Sequence, residues 1–85
     1  PTLGAQVARA AALAEVRGPA AAVDALLPLA TKAVDYQPWW AVMASMHART
    51  GDKPFAERAY DRAAALSTDQ PTRGYLLSER RLLST

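Results

Sequence analysis

The residues that could do chemistry in this chain are few, and their spacing predicts no catalytic group. His47 is the single histidine, and no acidic residue stands three or four positions from it, so a metal pair on one helix face is not predicted. Ser45, Ser67 and Ser78 have no base nearby in the sequence that could activate a hydroxyl. We therefore expect no catalytic residue, no metal site and no cofactor. His47 is interpreted as a structural residue, hydrogen-bonded between helices.

The stretch 51–54, Gly-Asp-Lys-Pro, superficially resembles a phosphate-binding loop. It lacks the glycine spacing and the preceding strand that such a loop requires, so phosphate binding is not predicted. Asp52 could be half of an acid pair, but its place directly before a proline-containing helix favours an N-cap.

Composition indicates one small all-α domain. The chain has 85 residues, of which roughly a quarter are Ala, and shows no strand-like alternation of apolar and polar residues. The absence of Cys excludes disulfides and thiolate metal sites. The net charge is +2, with eight Arg and two Lys, which is too small and too scattered to predict nucleic-acid binding.

Cellular location is inferred from what the chain lacks. No run of 18 apolar residues and no cleavable signal layout is present, so we expect a cytoplasmic protein that does not enter a membrane. The chain begins at Pro1 without an initiator Met, and we expect it to be a piece of a longer protein.

Glycine and proline signals divide the chain into five predicted helices, at about 5–17, 19–30, 38–50, 53–66 and 70–83. Residues 1–4 are interpreted as an extended entry segment and residues 31–37 as a linker. Gly18 and Gly51 are predicted to end the first and third helices. Pro28 predicts a kink, or an early end of the second helix at Leu27. Thr68 or Asp69 is expected to cap the last helix.

Helical periodicity predicts which side chains are buried. The third helix carries two apolar stripes, so we expect it to be central and packed on both flanks. The full predicted core is Val7, Ala10, Ala11, Ala14, Val23, Leu26, Leu27, Ala30, Trp39, Trp40, Val42, Met43, Ala44, Met46, His47, Ala56, Ala59, Tyr60, Ala63, Leu66, Tyr75, Leu76, Leu82 and Leu83. The residues predicted to face solvent are Arg58, Asp61, Arg62, Arg73, Arg80 and Arg81.

Several residue pairs of related type lie 33 positions apart: Val7 and Trp40, Ala11 and Ala44, Gly18 and Gly51, Leu27 and Tyr60, Ala30 and Ala63. A fixed period near 34 is typical of tetratricopeptide (TPR) arrays. The second unit resembles that pattern at Trp40, Ala44, Gly51, Asp52, Ala56, Tyr60, Ala63 and Leu66. It departs from it at Met43, His47 and Thr68, and the first unit is a weaker copy with Val7 and Val23 at pattern positions.

The TPR resemblance implies two antiparallel helix pairs, 5–30 and 38–66, followed by a capping helix at 70–83. The repeat-packing residues are Trp40, Ala44, Ala56, Tyr60 and Ala63. The three alanines let helix axes approach closely, and the two aromatic rings fill the wedge between the helices.

The first helix of each TPR pair lines the concave side of the array. The matching positions here are Ala8, Ala12, Glu15, Ala41, Ser45 and Arg49. Because most of these side chains are small, we expect a shallow interaction groove that accepts a helix or an extended segment. Glu15 and Arg49 are its predicted polar anchors.

A closer resemblance covers residues 1–83. It rests on the segments 7–10, 14–21, 36–38, 49–52, 59–63 and 75–76. Together these segments resemble the TPR-like C-terminal extension of bacterial extracytoplasmic-function (ECF) sigma factors, of the group often encoded beside DGPF (YCII-like) proteins. The segment AEVRGPAA at 14–21 is the most specific part. Ala8 is a departure, since the family commonly carries Asn there.

What this resemblance implies is a regulatory, non-catalytic role in transcription initiation. The partners would be the sigma regions of the same protein, core RNA polymerase, or both. DNA would be bound only through the sigma regions, which this chain does not contain. One alternative is a TPR adaptor that binds a peptide or helix of another protein, unrelated to transcription. A second is an accessory domain of an enzyme, for which the chain offers no cluster of acids or histidines.

Self-association of the isolated chain is a further expectation. Only the last helix looks like a cap for a repeat array, so the opposite flank, with Leu3, Val7 and Leu13 on the first helix, is predicted to be open. We expect that flank to pack against a neighbour.

Overall fold

Five α-helices make up most of the computed structural model, which describes residues 1–84. They are α1 (Leu3–Arg17), α2 (Pro19–Leu26), α3 (Gln37–Thr50), α4 (Lys53–Leu66) and α5 (Gln70–Leu82), with a short 3₁₀ turn at Leu27–Leu29 after α2. No strand occurs among the described residues. The all-α prediction is therefore confirmed.

Polar side chains cap three of the helix starts. The Asp52 carboxylate accepts a hydrogen bond from the backbone N–H of Phe55 at 3.2 Å, and that of Asp69 accepts one from Thr72 at 2.8 Å. Both caps were predicted, Asp69 as one of two candidates. At the first helix the Thr2 hydroxyl accepts from the N–H of Ala5 at 3.0 Å. The prediction of an extended segment over residues 1–4 is wrong beyond Thr2, because this cap starts α1 at Leu3.

Two glycines with positive φ end α1 and α3, as predicted. Gly18 has φ 89° and Gly51 has φ 93°, values that side chains with a Cβ adopt only under strain. At the end of α3 the N–H of Asp52 donates to the carbonyl of His47 at 2.9 Å, which is the 6→1 bond of a Schellman motif. This hydrogen bond satisfies one of the carbonyls at the end of α3 that have no partner within the helix.

The second helix ends early, at Leu26. Pro28 has no N–H to continue the α-helical ladder, and the chain tightens into a 3₁₀ turn. The tighter winding rotates Leu27 out to solvent, where it is 53% exposed, and brings Leu29 into the core instead. The burial predicted for Leu27 is therefore wrong, and Leu27 is not equivalent in burial to Tyr60, which lies 33 positions later.

Helix α3 is the central element, as predicted, and contacts α1, α2 and α4. On one flank Trp39 is 4% exposed and packs with Met43 against α1 and α2. The Trp39 indole N–H donates to the carbonyl of Leu26 at 2.9 Å, so a buried polar atom at the end of α2 gains a partner. On the other flank Ala44 joins a cluster with residues of α4 and α5.

Several residues of the predicted core are half-buried rather than buried: Ala11, Val23, Ala30, Trp40, Val42, His47, Leu66 and Leu83. They lie at the margins of the clusters, where one side of the helix has a neighbour and the next side faces solvent.

Side chains from α3 and α4 hold the linker between α2 and α3. The Val34 carbonyl accepts from the indole N–H of Trp40 at 2.9 Å and from Arg62 of α4 at 3.1 Å. Arg62 also pairs with Asp35 at 2.7 Å. The Arg62 side chain is 39% exposed, so its predicted solvent position is confirmed in part, and its head is held by the linker.

The last helix differs most from the prediction. Leu76 is buried, but Tyr75 and Leu82 are each 62% exposed. Helix α5 packs mainly against α4, and no further helix among the described residues covers its outer side. The predicted burial of Tyr75 and Leu82 is therefore wrong.

Two arginines of α5 bind α4 instead of facing solvent. Arg73 donates to the backbone carbonyls of Ala64 at 3.3 Å and Ser67 at 2.8 Å. Arg80 Nε lies 2.7 Å from the Asp61 carboxylate. The solvent positions predicted for Arg73 and Arg80 are wrong, whereas Arg81 is exposed as predicted.

None of the helices in residues 1–84 combines the length and the apolar character that a membrane crossing requires.

Candidate interaction surface

One pocket, of about 190 Å³, opens where four of the five helices meet. We call it the α1–α3–α5 pocket. Its lining comprises Ala11 of α1, then Ala41, Val42, Ser45 and Met46 of α3, Tyr60 of α4, and Tyr75 and Leu76 of α5. Most of the lining is apolar, and the volume of about 190 Å³ lies below the usual range of small-molecule sites, so the pocket suits a single side chain.

Only two of the six residues predicted to form the interaction groove line this pocket. Ala41 and Ser45 line it, whereas Ala8, Ala12, Glu15 and Arg49 are exposed residues outside its lining. Glu15 lies one turn beyond Ala11 on α1, and Arg49 one turn beyond Ser45 on α3. The Arg49 guanidinium rests 3.8 Å from the sulfur of Met46, so it sits at the rim.

Tyr75 was predicted to be buried in a capping helix, and neither it nor any other residue of α5 was predicted to line the groove. A signal for it was present: Ala8 and Ala41 are 33 positions apart, and Tyr75 follows Ala41 by 34. The period of the groove positions therefore continues into α5, which we had interpreted as a cap alone.

Tyr60 supplies the polar group at the floor of the pocket. Burial raises the pKa of its phenol above the ordinary value of 10, and the nearby Glu79 carboxylate and Tyr75 phenol raise it further. A hydrogen bond with the Ser45 hydroxyl acts in the opposite direction. The phenol is thus neutral at physiological pH and available as a hydrogen-bonding group.

Four of the five repeat-packing residues are buried. Ala44, Ala56 and Ala63 are fully buried, and Tyr60 is 4% exposed. Trp40 is half-buried at the edge of the cluster that contains Ala44, Tyr60 and Ala63, and its ring meets Trp39 edge to face at 4.9 Å. Small residues thus stand where α3, α4 and α5 meet, with aromatic rings beside them.

His47 lies between α3 and the start of α4. Its ring packs on that of Phe55 with centroids 4.3 Å apart, and its Nδ1 is 3.8 Å from the Asp52 carboxylate. That separation is too long for a hydrogen bond, so ring packing against Phe55 replaces the expected hydrogen bond between helices. No group of three His, Asp or Glu residues within 1–84 is placed to hold a metal ion.

The flank of α1 that was expected to be open is partly closed. Val7 is 3% exposed and belongs to the core, while Leu3 and Leu13 are half-buried. Leu13 borders a second pocket of about 170 Å³ between α1 and α2, beside Arg9 and Leu29. Val16 is the most exposed large apolar residue on this helix, at 81%. Self-association of the chain stays a prediction.

Comparison of the chain with known protein families, with curated proteins and with solved structures finds no match in any of the three. Any function must therefore be argued from the pocket, from the packing, and from the sequence resemblances already described.

Proposed function

We propose that this chain is a non-catalytic, TPR-like interaction domain that modulates transcription initiation as the C-terminal extension of an ECF sigma factor. Its partners would be the sigma regions of the same protein, core RNA polymerase, or both. The sigma factor resemblance of segments 14–21 and 59–63 supplies this identity, and a role beside RNA polymerase would make the domain cytoplasmic. DNA would be contacted only by the sigma regions.

The observation that carries the interaction role is the lining of the α1–α3–α5 pocket. In a TPR array the first helix of every pair faces the concave, ligand-binding side. In this chain the pocket takes residues from all three odd-numbered helices, at Ala11, Ala41 and Tyr75, while α4 contributes the buried Tyr60 beneath them. This arrangement supports a TPR-like groove.

Packing supports a rigid binding surface rather than a mobile one. Residues behind the groove belong to the core: Met43 and Ala44 of α3 are 1% and 0% exposed. The α4–α5 turn is tied by Arg73, and the α2–α3 linker by Trp40 and Arg62. A partner segment that enters a surface held in this way loses little of its binding free energy to ordering of the domain.

A pull-down with groove variants tests the proposal. The immobilised domain is expected to capture purified sigma regions or core RNA polymerase. Ala41→Leu extends an aliphatic side chain from the pocket lining, and we expect it to reduce capture. Ala65→Leu makes the same change at an exposed position of α4 outside the lining, and capture should persist.

Two outcomes would contradict the proposal. The first is the absence of capture of every sigma and polymerase fragment by a folded domain. The second is equal capture by the Ala41→Leu and Ala65→Leu variants, which would place the contact elsewhere. Groove-dependent capture of a peptide unrelated to transcription would favour the TPR adaptor instead.

A further inference from the structure

The charges around the α1–α3–α5 pocket are unevenly distributed. Glu15, Glu57 and Glu79 each lie one helical turn from a lining residue, on α1, α4 and α5 respectively. None of the three makes an ion pair within residues 1–84. Arg49 is the opposing cation at the rim, and it rests on the Met46 sulfur rather than on a carboxylate.

The remaining arginines near the pocket are already engaged. Arg73 lies one turn before Leu76 and donates to the end of α4. Arg80 lies one turn after Leu76 and pairs with Asp61. Asp61 neutralises Arg80, whereas Arg73 keeps its positive charge and directs it toward the end of α4. The three unpaired carboxylates therefore outnumber the two cations without a carboxylate partner, Arg49 and Arg73, and none of the ion pairs within residues 1–84 involves Glu79.

The α5 wall adds an aromatic face to this negative rim. Tyr75 and Glu79 are four residues apart, so both project from the same side of α5. Tyr75 lines the pocket and is 62% exposed. Glu79 is close enough to the pocket floor that its charge acts on the Tyr60 phenol. An exposed aromatic ring beside a carboxylate is a favourable setting for a cation.

The lower part of the pocket favours an aliphatic chain. Ala11, Ala41, Val42 and Met46 present methyl, methylene and thioether groups. Arg and Lys combine a stem of methylene groups with a charged head, so the stem can cover apolar surface while the head stays at the rim. An anionic side chain would meet Glu79 there, and a purely apolar one would leave its carboxylate unpaired.

We propose that the α1–α3–α5 pocket binds an Arg or Lys side chain presented by the partner protein, with its head between Tyr75 and Glu79. This proposal rests on the interaction role described above and names the partner chemistry at that same surface. The excess of carboxylates at the rim selects a basic segment over an acidic one.

A matched pair of small probes tests the proposal on the folded chain. n-Butylguanidinium carries the charged head and aliphatic stem of an Arg side chain, and n-butylurea has the same shape without the charge. Titrations followed by ¹H–¹⁵N NMR should show saturable shifts of the backbone amides of Ala41, Ser45 and Tyr75 with n-butylguanidinium. Binding of n-butylurea should be clearly weaker.

Variants assign the interaction to the rim. Glu79→Gln and Tyr75→Leu are each expected to weaken n-butylguanidinium binding about two- to fivefold, the effect of one exposed ion pair or one cation–π contact. Asp24→Asn makes a matched charge change on the exposed side of α2 and should leave binding unchanged. Far-UV circular dichroism of each variant establishes that it is folded.

The proposal is overturned if n-butylurea binds as tightly as n-butylguanidinium, if no saturable shift appears, or if Glu79→Gln acts no more than Asp24→Asn. These outcomes are independent of the pull-down. Capture of sigma regions without probe binding would refute the basic side chain and leave the proposed function standing. Probe binding without capture would support the pocket chemistry and refute the sigma factor role.

Discussion

Arg73 offers the sharpest test of how the last two helices are joined. Its guanidinium reaches from α5 to the end of α4 and donates to the carbonyls of Ala64 at 3.3 Å and Ser67 at 2.8 Å. The last carbonyls of a helix have no partner within the helix and carry its negative dipole end. The positive, forked side chain donates to one of these carbonyls, that of Ala64, which also accepts from the Ser67 N–H, and to the carbonyl of Ser67, the C-cap residue.

The expected cost of Arg73→Met follows from these two contacts. A hydrogen bond to a charged group contributes about 1.5–3 kcal/mol, and the longer and half-exposed geometry here places the pair near the lower end of that range. We expect the free energy of unfolding to fall by about 2 kcal/mol. For a domain of this size that corresponds to a Tm lower by roughly 8–16 °C.

Chemical and thermal unfolding followed by circular dichroism measures this effect. Arg81→Met is the matched control, because Arg81 is exposed on the same helix and donates to Ser78 alone, at 3.2 Å. We expect it to cost less than about 0.5 kcal/mol. Arg73→Lys keeps the charge but not the fork and should fall between the two. Equal stability of Arg73→Met and Arg81→Met would refute the bridging role.

Three other changes are expected to give measurable results. Ala63→Leu overpacks a fully buried position and should lower the free energy of unfolding by about 1–3 kcal/mol, measured in urea. The same change at exposed Ala65 should lower it little. Equal urea unfolding curves for the two variants would contradict the close-packing argument. Gly18→Ala should cost about 1–3 kcal/mol from its φ of 89°, whereas Gly74→Ala inside α5 should stabilise by about 0.5–1 kcal/mol, since a Cβ meets nothing at either site. The backbone N–H of Thr72 lowers the pKa of Asp69, so its capping contribution is present at neutral pH and is lost as the pH falls below about 4. Asp69→Asn should flatten the acid side of the stability–pH curve, and an unchanged curve would argue against that cap.

Local signals were sufficient to predict where the helices lie. Asp52, Gly18 and Gly51 act over a few residues, and their caps and positive φ angles were readable from residue type. The early end of α2 is also local, because Pro28 cannot donate. What the sequence could not give was the consequence for Leu27, since the change to 3₁₀ winding alters which residue faces the core.

Burial on α5 depended on information that periodicity does not contain. A 3.6-residue pattern shows which side chains share a face, but not whether another helix covers that face. Tyr75 and Leu82 are apolar enough to be buried and are exposed because α5 is packed mainly on one side. Arg73 and Arg80 were predicted to face solvent because they are charged, but they are half-buried. Their long side chains reach partners on the neighbouring helix α4.

The candidate site was predictable in its centre and not in its extent. Ala41 and Ser45 followed from the repeat period, and both line the pocket. Tyr75 required the recognition that the period continues into α5. The set of unpaired carboxylates at the rim could not be predicted from the sequence. It depends on which acidic residues pair with arginines, as Asp35 and Asp61 do, and tertiary packing decides that pairing.

Amide hydrogen exchange of the domain, measured with and without the sigma regions, tests the central claim most directly. That claim is that the surface formed by α1, α3 and α5 holds a protein partner. We expect binding to slow exchange in the segments around Ala11, Ser45 and Tyr75, with no change around exposed Lys32 in the linker between α2 and α3. Protection confined to residues outside the pocket, or no protection at saturating partner, would contradict the account.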